Sequence, residues 1–420
     1  MVAVLAVVAG ACDSPSAVRH EQRQTDLSAP SGADFSARWA PTLSGPTNED
    51  EFDGVAVAPD GSVYVTGKFE GTATLGGVSL ESAGAADIPF ARFDALGRRL
   101  WAQRFGGPGE DNFFDVDATA DGAVATGWFS GTVAFGSTTL TSSGPSDCVV
   151  VALHPDGTTR WARAFGGPAR DGCNEVALDG SGAVTTSIDT QGDWTPVGGP
   201  RLPRVRESDT VLMRLAPDGS PTWMRPVGGA GAQRGKALAV APDGSVSFGG
   251  DTVGPLTIAG RTVEPPASGG LGDAWLARWT PAGTLQWVDA WGGPGNDWAK
   301  GAVDDGHTVS YVGPFTGTIT VGGTTLEPVK VPTPSWPSDS GPAWFVGQRR
   351  SARPSTSTAP RWSRPPTAGS SSGARARPGS GSVQPTAKRS RWTTPTEAPR
   401  GSRTTDRTAP RDSLAPSPAR

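Results

Sequence analysis

The residues that carry most enzyme chemistry are few and scattered in this chain. Its three histidines are His20, His154 and His307, and no spacing brings them together. A metal centre or a nucleophilic triad needs such side chains to converge. Residues 231–236 approach the spacing of a phosphate-binding loop, but they lack its first glycine and its magnesium-binding Ser or Thr. We therefore predict no catalytic residue, no metal site and no cofactor.

Three aspartates form the densest group of possible metal ligands. Asp115, Asp117 and Asp121 could supply oxygen atoms to Ca²⁺, which prefers carboxylates and carbonyls. Their spacing differs from that of a calcium loop, and one repeat alone carries the set. We predict surface or turn roles for them, with a Ca²⁺ site as the alternative.

Two of the three cysteines stand close in the sequence. Cys148 and Cys173 are separated by 25 residues. In an oxidising compartment they could form a disulfide between adjacent repeats, and otherwise they would be two small buried thiols. Both alternatives remain open from the sequence.

A tandem repeat must position all of these side chains. Trp39, Trp101, Trp161, Trp223 and Trp287 are spaced by 62, 60, 62 and 64 residues. Glycine pairs follow the last four tryptophans, aspartates precede those four by fourteen residues, and Asp-Gly pairs recur in phase. Such phased positions indicate tandem structural units. We predict structural roles for the repeated residues: Trp between neighbouring units, Gly pairs in tight turns and Asp accepting backbone N–H groups.

Within one repeat the apolar residues alternate with period two, which indicates β-strands. In the first repeat, residues 55–59 and 63–66 flank an Asp-Gly turn, and residues 88–93 and 99–105 form a second hairpin beyond a glycine-rich excursion. One four-stranded sheet cannot bury both faces alone. Sheets arranged radially cover one another and leave no long open edge, so the prediction is an all-β protein, a β-propeller of four-stranded blades with about five clear repeats.

The motif D-x-x-x-A-R-x-x-x-x-G-x-x-x-W-x-x-x-F-G-G, followed by V-A-x-x-x-D-G-x-V-x-x-x-G, resembles the bacterial seven-bladed β-propeller (SBBP) repeat family of exported lipoproteins. The resemblance covers residues 38–348 and implies about seven blades and usually no catalytic site. This chain departs from it in having five clear repeats, in Ser187 at a glycine position and in Gln233 at an aspartate position.

The N-terminus resembles an export signal. Residues 2–11 are apolar and end in Ala-Gly-Ala before Cys12, which resembles a bacterial lipobox in which the cysteine is acylated. We predict a signal in residues 1–12, a polar tether in residues 13–37 and lipid attachment at Cys12. The alternatives are ordinary signal cleavage after Ala11 and a cytoplasmic protein.

The C-terminal segment has a different composition. Residues 349–420 contain 15 Lys and Arg against 3 Asp and Glu, whereas the whole chain contains 37 against 41. The segment has almost no large apolar residues, so we predict a disordered basic tail. If residues 354–359 are encoded by GC-rich codons, the same bases in the reading frame that starts one base earlier encode Ala-Ile-Asp-Val-Asp-Gly. This sequence matches the strand and turn of a further repeat, provided that a small deletion is also assumed. A frameshift near residues 345–350 is our hypothesis, and a genuine low-complexity tail is the alternative.

The function predicted from these features is binding or scaffolding at the cell envelope, without enzyme activity. The acidic body does not attract phosphate backbones, so nucleic acid is not an expected partner. The expected partners are an unknown protein or carbohydrate ligand and, through the lipid anchor, the outer membrane or cell surface. The alternatives are a propeller enzyme (a lyase or a quinoprotein-type dehydrogenase) and an inactive truncated fragment. A central channel lined by carboxylates, Arg and His would favour catalysis, and one lined by Gly, Ser and Thr would favour binding.

Overall fold

The computed structural model describes residues 3–4, 39–45, 50–192, 209–229, 231–266, 272–327 and 343–350. Cys12, His20 and most of the predicted tether and tail lie outside this part of the chain. Every regular element within the described part is a β-strand, as the period-two pattern predicts. The same residues include no helix of the length and apolarity needed to cross a membrane.

Each repeat contributes an antiparallel sheet in chain order. The first sheet consists of β1 (Ala3–Val4), β2 (Thr42–Ser44), β3 (Glu51–Val57), β4 (Val63–Leu75), β5 (Val78–Phe93) and β6 (Arg99–Phe105). The second consists of β7 (Asp111–Thr119), β8 (Gly122–Phe129), β11 (Asp147–Leu153) and β12 (Thr159–Phe165), and a separate hairpin is formed by β9 (Thr132–Phe135) and β10 (Thr138–Thr141).

The later repeats follow the same order. The third sheet contains β13 (Asp171–Leu178), β14 (Val184–Thr190), β15 (Asp209–Leu215) and β16 (Pro221–Gly229), and β16 also pairs with β19 (Leu256–Ile258), which pairs with β20 (Arg261–Val263). The fourth contains β17 (Gln233–Val240), β18 (Val246–Thr252), β21 (Asp273–Trp279) and β22 (Leu285–Trp291). The fifth contains β23 (Gly301–Asp304), β24 (Thr308–Phe315) and β27 (Ala343–Arg350), with a hairpin of β25 (Ile319–Val321) and β26 (Thr324–Leu326).

The glycine-rich excursion of the first repeat is a β-hairpin. The sequence assigned no strand to residues 71–84, but β4 and β5 continue through most of them and turn at Gly76-Gly77. Both glycines have positive φ, 56° and 80°, which suits a two-residue hairpin turn. The residues on either side of the turn alternate between buried and exposed, so a period-two pattern was present in this glycine-rich segment.

The Asp-Gly pairs form the predicted turns. Gly61 has a φ of 79°, and the backbone N–H of Ser62 donates to Asp60 Oδ1 at 2.9 Å. Glycine adopts this left-handed conformation without steric cost, and the aspartate supplies a local acceptor. Gly244 and Gly306 repeat the conformation, with φ of 78° and 86°.

The repeated tryptophans join one repeat to the next, and their predicted packing role is confirmed. The indole N–H groups of Trp101, Trp161 and Trp223 each donate, at 2.9 Å, to a proline carbonyl in the turn of the following repeat. The glycine of that turn lies against the ring, because a Cβ on it would meet ring carbons at 2.8 to 3.0 Å. These glycines are Gly157, Gly219 and Gly283.

Successive sheets pack face to face. One buried cluster joins the first and second sheets through Phe90 and Phe113, and another joins the third and fourth through Leu212 and Phe248. The first strands of the five repeats, β3, β7, β13, β17 and β23, contact one another in chain order. We call them the leading strands. Their proximity brings residues about 60 positions apart into one region.

A disulfide links two neighbouring sheets. Cys148 in β11 and Cys173 in β13 are bonded, with their Cα atoms 4.8 Å apart and both side chains fully buried. Of the two alternatives left by the sequence, the structure therefore has the disulfide.

Candidate functional site

Four leading strands carry a β-bulge at the same place. The pairing register shifts between Phe52 and Gly54 and at the equivalent positions of β7, β13 and β17. A bulge leaves its extra residue outside the ladder and re-aims the side chain, often beside a functional site. Together with the equivalent residue of the fifth repeat, these positions define the bulge cluster: Asp53, Phe114, Asn174, Glu175, Lys236 and Lys300.

Lys236 connects three repeats within the bulge cluster. Its Nζ donates to Asn174 Oδ1 at 2.8 Å and lies 5.9 Å from the centroid of the Phe114 ring. Asn174 in turn donates from Nδ2 to Asp189 Oδ2 at 2.6 Å. The ammonium group therefore has an amide oxygen and an aromatic face as partners, which both favour a cation.

Charge is segregated near the bulges of the leading strands, although β23 ends in the buried carboxylate of Asp304. The first three repeats supply carboxylates and the last two supply cations: Asp53, Asp115 and Glu175 against Arg234, Lys236 and Lys300. The pKa of Glu175 is raised to about 8, mainly by burial and also by the charge of Asp115, and the charge of Lys236 opposes the shift. Glu175 therefore holds its proton at neutral pH. Such a perturbed group is a frequent mark of a functional site.

Asp115 and Asp117 connect two neighbouring repeats through hydrogen bonds. Asp115 Oδ2 accepts the backbone N–H of Val176 at 2.8 Å, and Asp117 Oδ2 accepts that of Leu178 at 2.7 Å. The predicted surface or turn role fits the exposed Asp121 and is wrong for the other two, because they are half-buried within strand β7 and accept backbone N–H groups of β13. Among the described residues no three acidic, His or Cys side chains are grouped to hold a metal, so the Ca²⁺ alternative is not supported there.

A cleft of about 390 Å³ opens beside the bulge cluster. Its Gly172 occupies the leading-strand position that holds Asn112 and Arg234 in other repeats, and a Cβ there would lie 3.5 Å from the Cβ of Trp128. The missing side chain leaves space beside the half-buried indole. We call this site the Trp128 cleft, and its lining residues are Trp128, Ser146, Arg170, Asp171, Gly172, Asp189, Gln191 and Arg234.

The other residues considered in the sequence do not join this site. His154 and His307 lie in separate turns of different repeats. Residues 233–236 belong to strand β17 and do not form a phosphate loop. Cys12, the predicted lipid attachment site, is outside the described residues.

Sequence reasoning missed the bulge cluster although a signal was present. A phased aspartate or Gln233 stands at the start of each leading strand or a few residues before it. The residues three positions later differ except for the last two, and they are Asp53, Phe114, Asn174, Lys236 and Lys300. A comparison of the positions that are identical in all repeats finds the residues that the fold requires. A position that varies in chemistry inside an otherwise regular repeat is where a binding surface is built.

No protein-family model and no curated protein matches the chain. Among solved structures, the chain is similar to a candidate gluconolactonase, with 14% identity and a TM-score of 0.24 over 63% of this chain and 85% of the other. It is also similar to a puromycin hydrolase, with 14% identity and a TM-score of 0.29 over 67% of this chain and 53% of the other. At these scores the likenesses carry no argument about function, so the site is interpreted from its own geometry.

Proposed function

We propose that this chain is an exported, lipid-anchored β-propeller that binds a carbohydrate in the Trp128 cleft and has no enzyme activity. The face-to-face packing of successive sheets and the contacts among leading strands support a radial arrangement of four-stranded blades, with five repeats. In such an arrangement the leading strands line the central channel, where propellers have space for ligands.

The composition of the Trp128 cleft carries the proposal. An indole face packs against the C–H face of a sugar ring, and planar polar groups bind paired hydroxyls. Trp128 provides that face, and Arg170, Gln191 and Arg234 provide polar groups around it. A channel lined by Gly, Ser and Thr is the expectation for a binding module, and charged groups lie here instead. Some of these groups already have uncharged partners: Lys236 donates to the amide oxygen of Asn174, and Asp115 accepts the backbone N–H of Val176.

A panel of neutral and uronic-acid oligosaccharides tests this proposal, with intrinsic tryptophan fluorescence and calorimetry as readouts. We expect one member to bind the full chain, Trp128→Ala to abolish binding, and Gly172→Leu to abolish it by filling the cleft with the charges unchanged. Leu96→Ala, at an exposed position, is the matched control. Absence of binding across the panel, or binding unaffected by both cleft variants, would contradict the proposal.

Export and anchoring are part of the same proposal. The buried Cys148–Cys173 disulfide supports an oxidising compartment, because such bonds are rare in the cytosol of mesophiles. Labelled palmitate should be incorporated by the natural chain and not by Cys12→Ala. An exported but unlabelled natural chain would indicate ordinary signal cleavage, and an intracellular one would contradict export.

Glu175 supports an enzyme as the second candidate. A carboxyl with a pKa of about 8, in the field of Lys236 and Lys300, has the properties of a general acid or base, as a lyase requires. Turnover of a bound uronic-acid oligosaccharide that is lost in Glu175→Gln, with binding retained, would establish this candidate over simple binding.

A further inference from the structure

An arginine faces the repeated tryptophan across the third and fourth strands of three sheets. Its guanidinium is largely buried and joins its own sheet to the next repeat. In the second sheet, Ala152 faces Trp161 instead, so the interface between the second and third sheets lacks this side chain. The arginine pairs are Arg92 with Trp101, Arg214 with Trp223, and Arg278 with Trp287.

The contacts of Arg92 show which acceptors hold such a guanidinium. Its Nη2 donates to Asp60 Oδ2 at 2.7 Å, in the Asp-Gly turn of the same repeat. Its Nη1 donates to the carbonyl oxygen of Pro155 at 2.8 Å, in a turn of the next repeat. The same oxygen also accepts the indole N–H of Trp101 at 2.9 Å. A carboxylate and a carbonyl oxygen thus bind one planar cation between two sheets.

Both kinds of acceptor recur between the second and third sheets, where they line a cavity. Asp121 lies in its Asp-Gly turn as Asp60 does, and Pro217 lies in the next repeat as Pro155 does. The carbonyl oxygen of Pro217 accepts the indole N–H of Trp161 at 2.9 Å. Within the part of the chain that the structure describes, no arginine donates to this oxygen or to the Asp121 carboxylate.

The cavity has the size of a guanidinium group. Its volume is about 60 Å³, and Ala152 and Trp161 belong to its wall. One water molecule needs about 10–15 Å³ of such space, so the cavity has room for a group of about four heavy atoms. A guanidinium, with one carbon and its nitrogens, has that size. The cavity shares no lining residue with the Trp128 cleft.

Arg160 also lines the cavity and lowers its affinity for a cation. Its side chain is exposed and forms no ion pair with the residues that the structure describes, and its charge repels a second cation. The equivalent residue in the fourth repeat is Gln286, whose Oε1 accepts a hydrogen bond from Arg278 Nη1 at 2.5 Å. A side chain at this position therefore reaches the guanidinium, and a glutamine there favours it.

We propose that this cavity binds a guanidinium group that the second repeat does not itself supply. The group takes the place of the missing arginine side chain beyond Ala152, and it donates to the Asp121 carboxylate and to the carbonyl oxygen of Pro217. A free guanidino compound and the arginine side chain of a partner chain both carry this group. Binding is weak, in the millimolar range, because few atoms make contact. This site is separate from the proposed carbohydrate site.

Titration of the full chain with millimolar methylguanidinium tests the proposal, with calorimetry and thermal melting as readouts. We expect saturable binding and a higher melting temperature, and neither effect from methylammonium at equal ionic strength. Ala152→Arg supplies the group covalently, so it should abolish binding and raise the ligand-free melting temperature.

Two substitutions at exposed positions test the contacts. Asp121→Asn should weaken binding about fivefold, because an exposed ion pair contributes up to about 1 kcal/mol. Arg160→Gln copies the fourth repeat and should strengthen binding by a similar factor. Asp156→Asn, at an exposed turn position outside the cavity, is the matched control and should leave binding unchanged.

A further comparison distinguishes the two sources of the group. Tighter binding of end-blocked Gly-Arg-Gly than of agmatine would support an arginine of a partner chain. Tighter binding of agmatine would support a free guanidino compound.

Three outcomes would overturn the proposal. The first is that the natural chain does not bind methylguanidinium. The second is that Ala152→Arg, with an unchanged circular dichroism spectrum, binds it as the natural chain does; if this variant does not fold, Ala152→Met, which fills the cavity without charge, replaces it. The third is binding by Arg160→Gln alone, which would mean that Arg160 itself occupies the cavity. None of these outcomes bears on carbohydrate binding in the Trp128 cleft.

Discussion

The indole N–H of Trp161 donates a hydrogen bond of 2.9 Å to the carbonyl oxygen of Pro217, 56 residues later in the chain. Trp101 and Trp223 make the same bond to the next repeat. Trp287 differs, since its buried N–H has no acceptor among the described residues and its ring lies 4.1 Å from the guanidinium carbon of Arg349. The repeat therefore provides an internal comparison of one tryptophan with and without its partner.

Replacing these tryptophans by phenylalanine should separate the hydrogen bond from ring packing. Trp161→Phe loses apolar area and the bond to Pro217, whereas Trp287→Phe loses area, weakens the contact of the ring with Arg349 and removes an unpaired donor. We expect Trp161→Phe to lower the free energy of unfolding by about 1 kcal/mol more than Trp287→Phe does. Urea denaturation followed by circular dichroism measures the difference. Equal losses would mean that the hydrogen bond adds no net stability.

The turn glycine beneath Trp161 should tolerate no side chain. Gly219 has a φ of 81°, and a Cβ there would meet the Trp161 ring at 2.8 Å. Gly260 has a similar φ of 76° and open space around it. Gly219→Ala should therefore destabilise the protein by about 1–3 kcal/mol more than Gly260→Ala, because both share the backbone strain and the first adds a clash. Similar melting temperatures for the two variants would contradict this packing.

The disulfide should account for a measurable part of the stability. It closes a loop of 25 residues, for which the loss of chain entropy in the unfolded state corresponds to about 3 kcal/mol. We expect reductant to lower the denaturation midpoint of the natural chain. The double variant Cys148→Ala, Cys173→Ala should start at the lower midpoint and show no response to reductant. A reductant effect that persists in the double variant would exclude this bond as its source.

Stability should fall as the pH rises from about 4.5 to about 8. Burial raises the pKa of Glu175 from its ordinary 4.5 to about 8, so the folded chain holds a proton that the unfolded chain releases. The stabilisation is complete below the unfolded pKa and is lost as the pH rises through the folded one. The pKa values of Asp115 and Asp251, which burial raises to about 6, act in the same direction at lower pH.

Glu175→Gln isolates the contribution of Glu175. We expect the denaturation midpoint of the natural chain to fall between about pH 5 and pH 8, and the variant to lose most of this slope. Glu110→Gln, at an exposed position, should keep the natural slope. If Glu175→Gln retained the full pH dependence, Glu175 would not be the group that titrates.

The frameshift hypothesis also makes a testable prediction. A further repeat in the alternative frame would supply the turn whose carbonyl accepts the Trp287 N–H. Residues 38–348 expressed alone should then bind more hydrophobic dye and melt lower than a frame-restored chain, because a repeat array with an open end exposes apolar surface. Equal dye binding and melting would count against the hypothesis, as would an alternative frame without a repeat.

The sequence by itself determined the strands, the turns and the contacts between repeats in this protein. Alternation of apolar residues marked strands such as Arg99–Phe105, Asp-Gly pairs marked turns, and phased tryptophans marked contacts between repeats. These features follow from the sequence because hydrophobic period and turn chemistry are local, and because equal spacing repeats the same contact.

Only the tertiary structure decided where chemistry is possible. Asn174 and Lys236 are 62 residues apart, and their 2.8 Å contact depends on two bulges and on the packing of β13 beside β17. The disulfide depends in the same way on how neighbouring sheets meet. Asn174 and Lys236 hold equivalent positions in their repeats, but their side chains differ and each bulge re-aims its own residue, so neither periodicity nor spacing predicts that they meet.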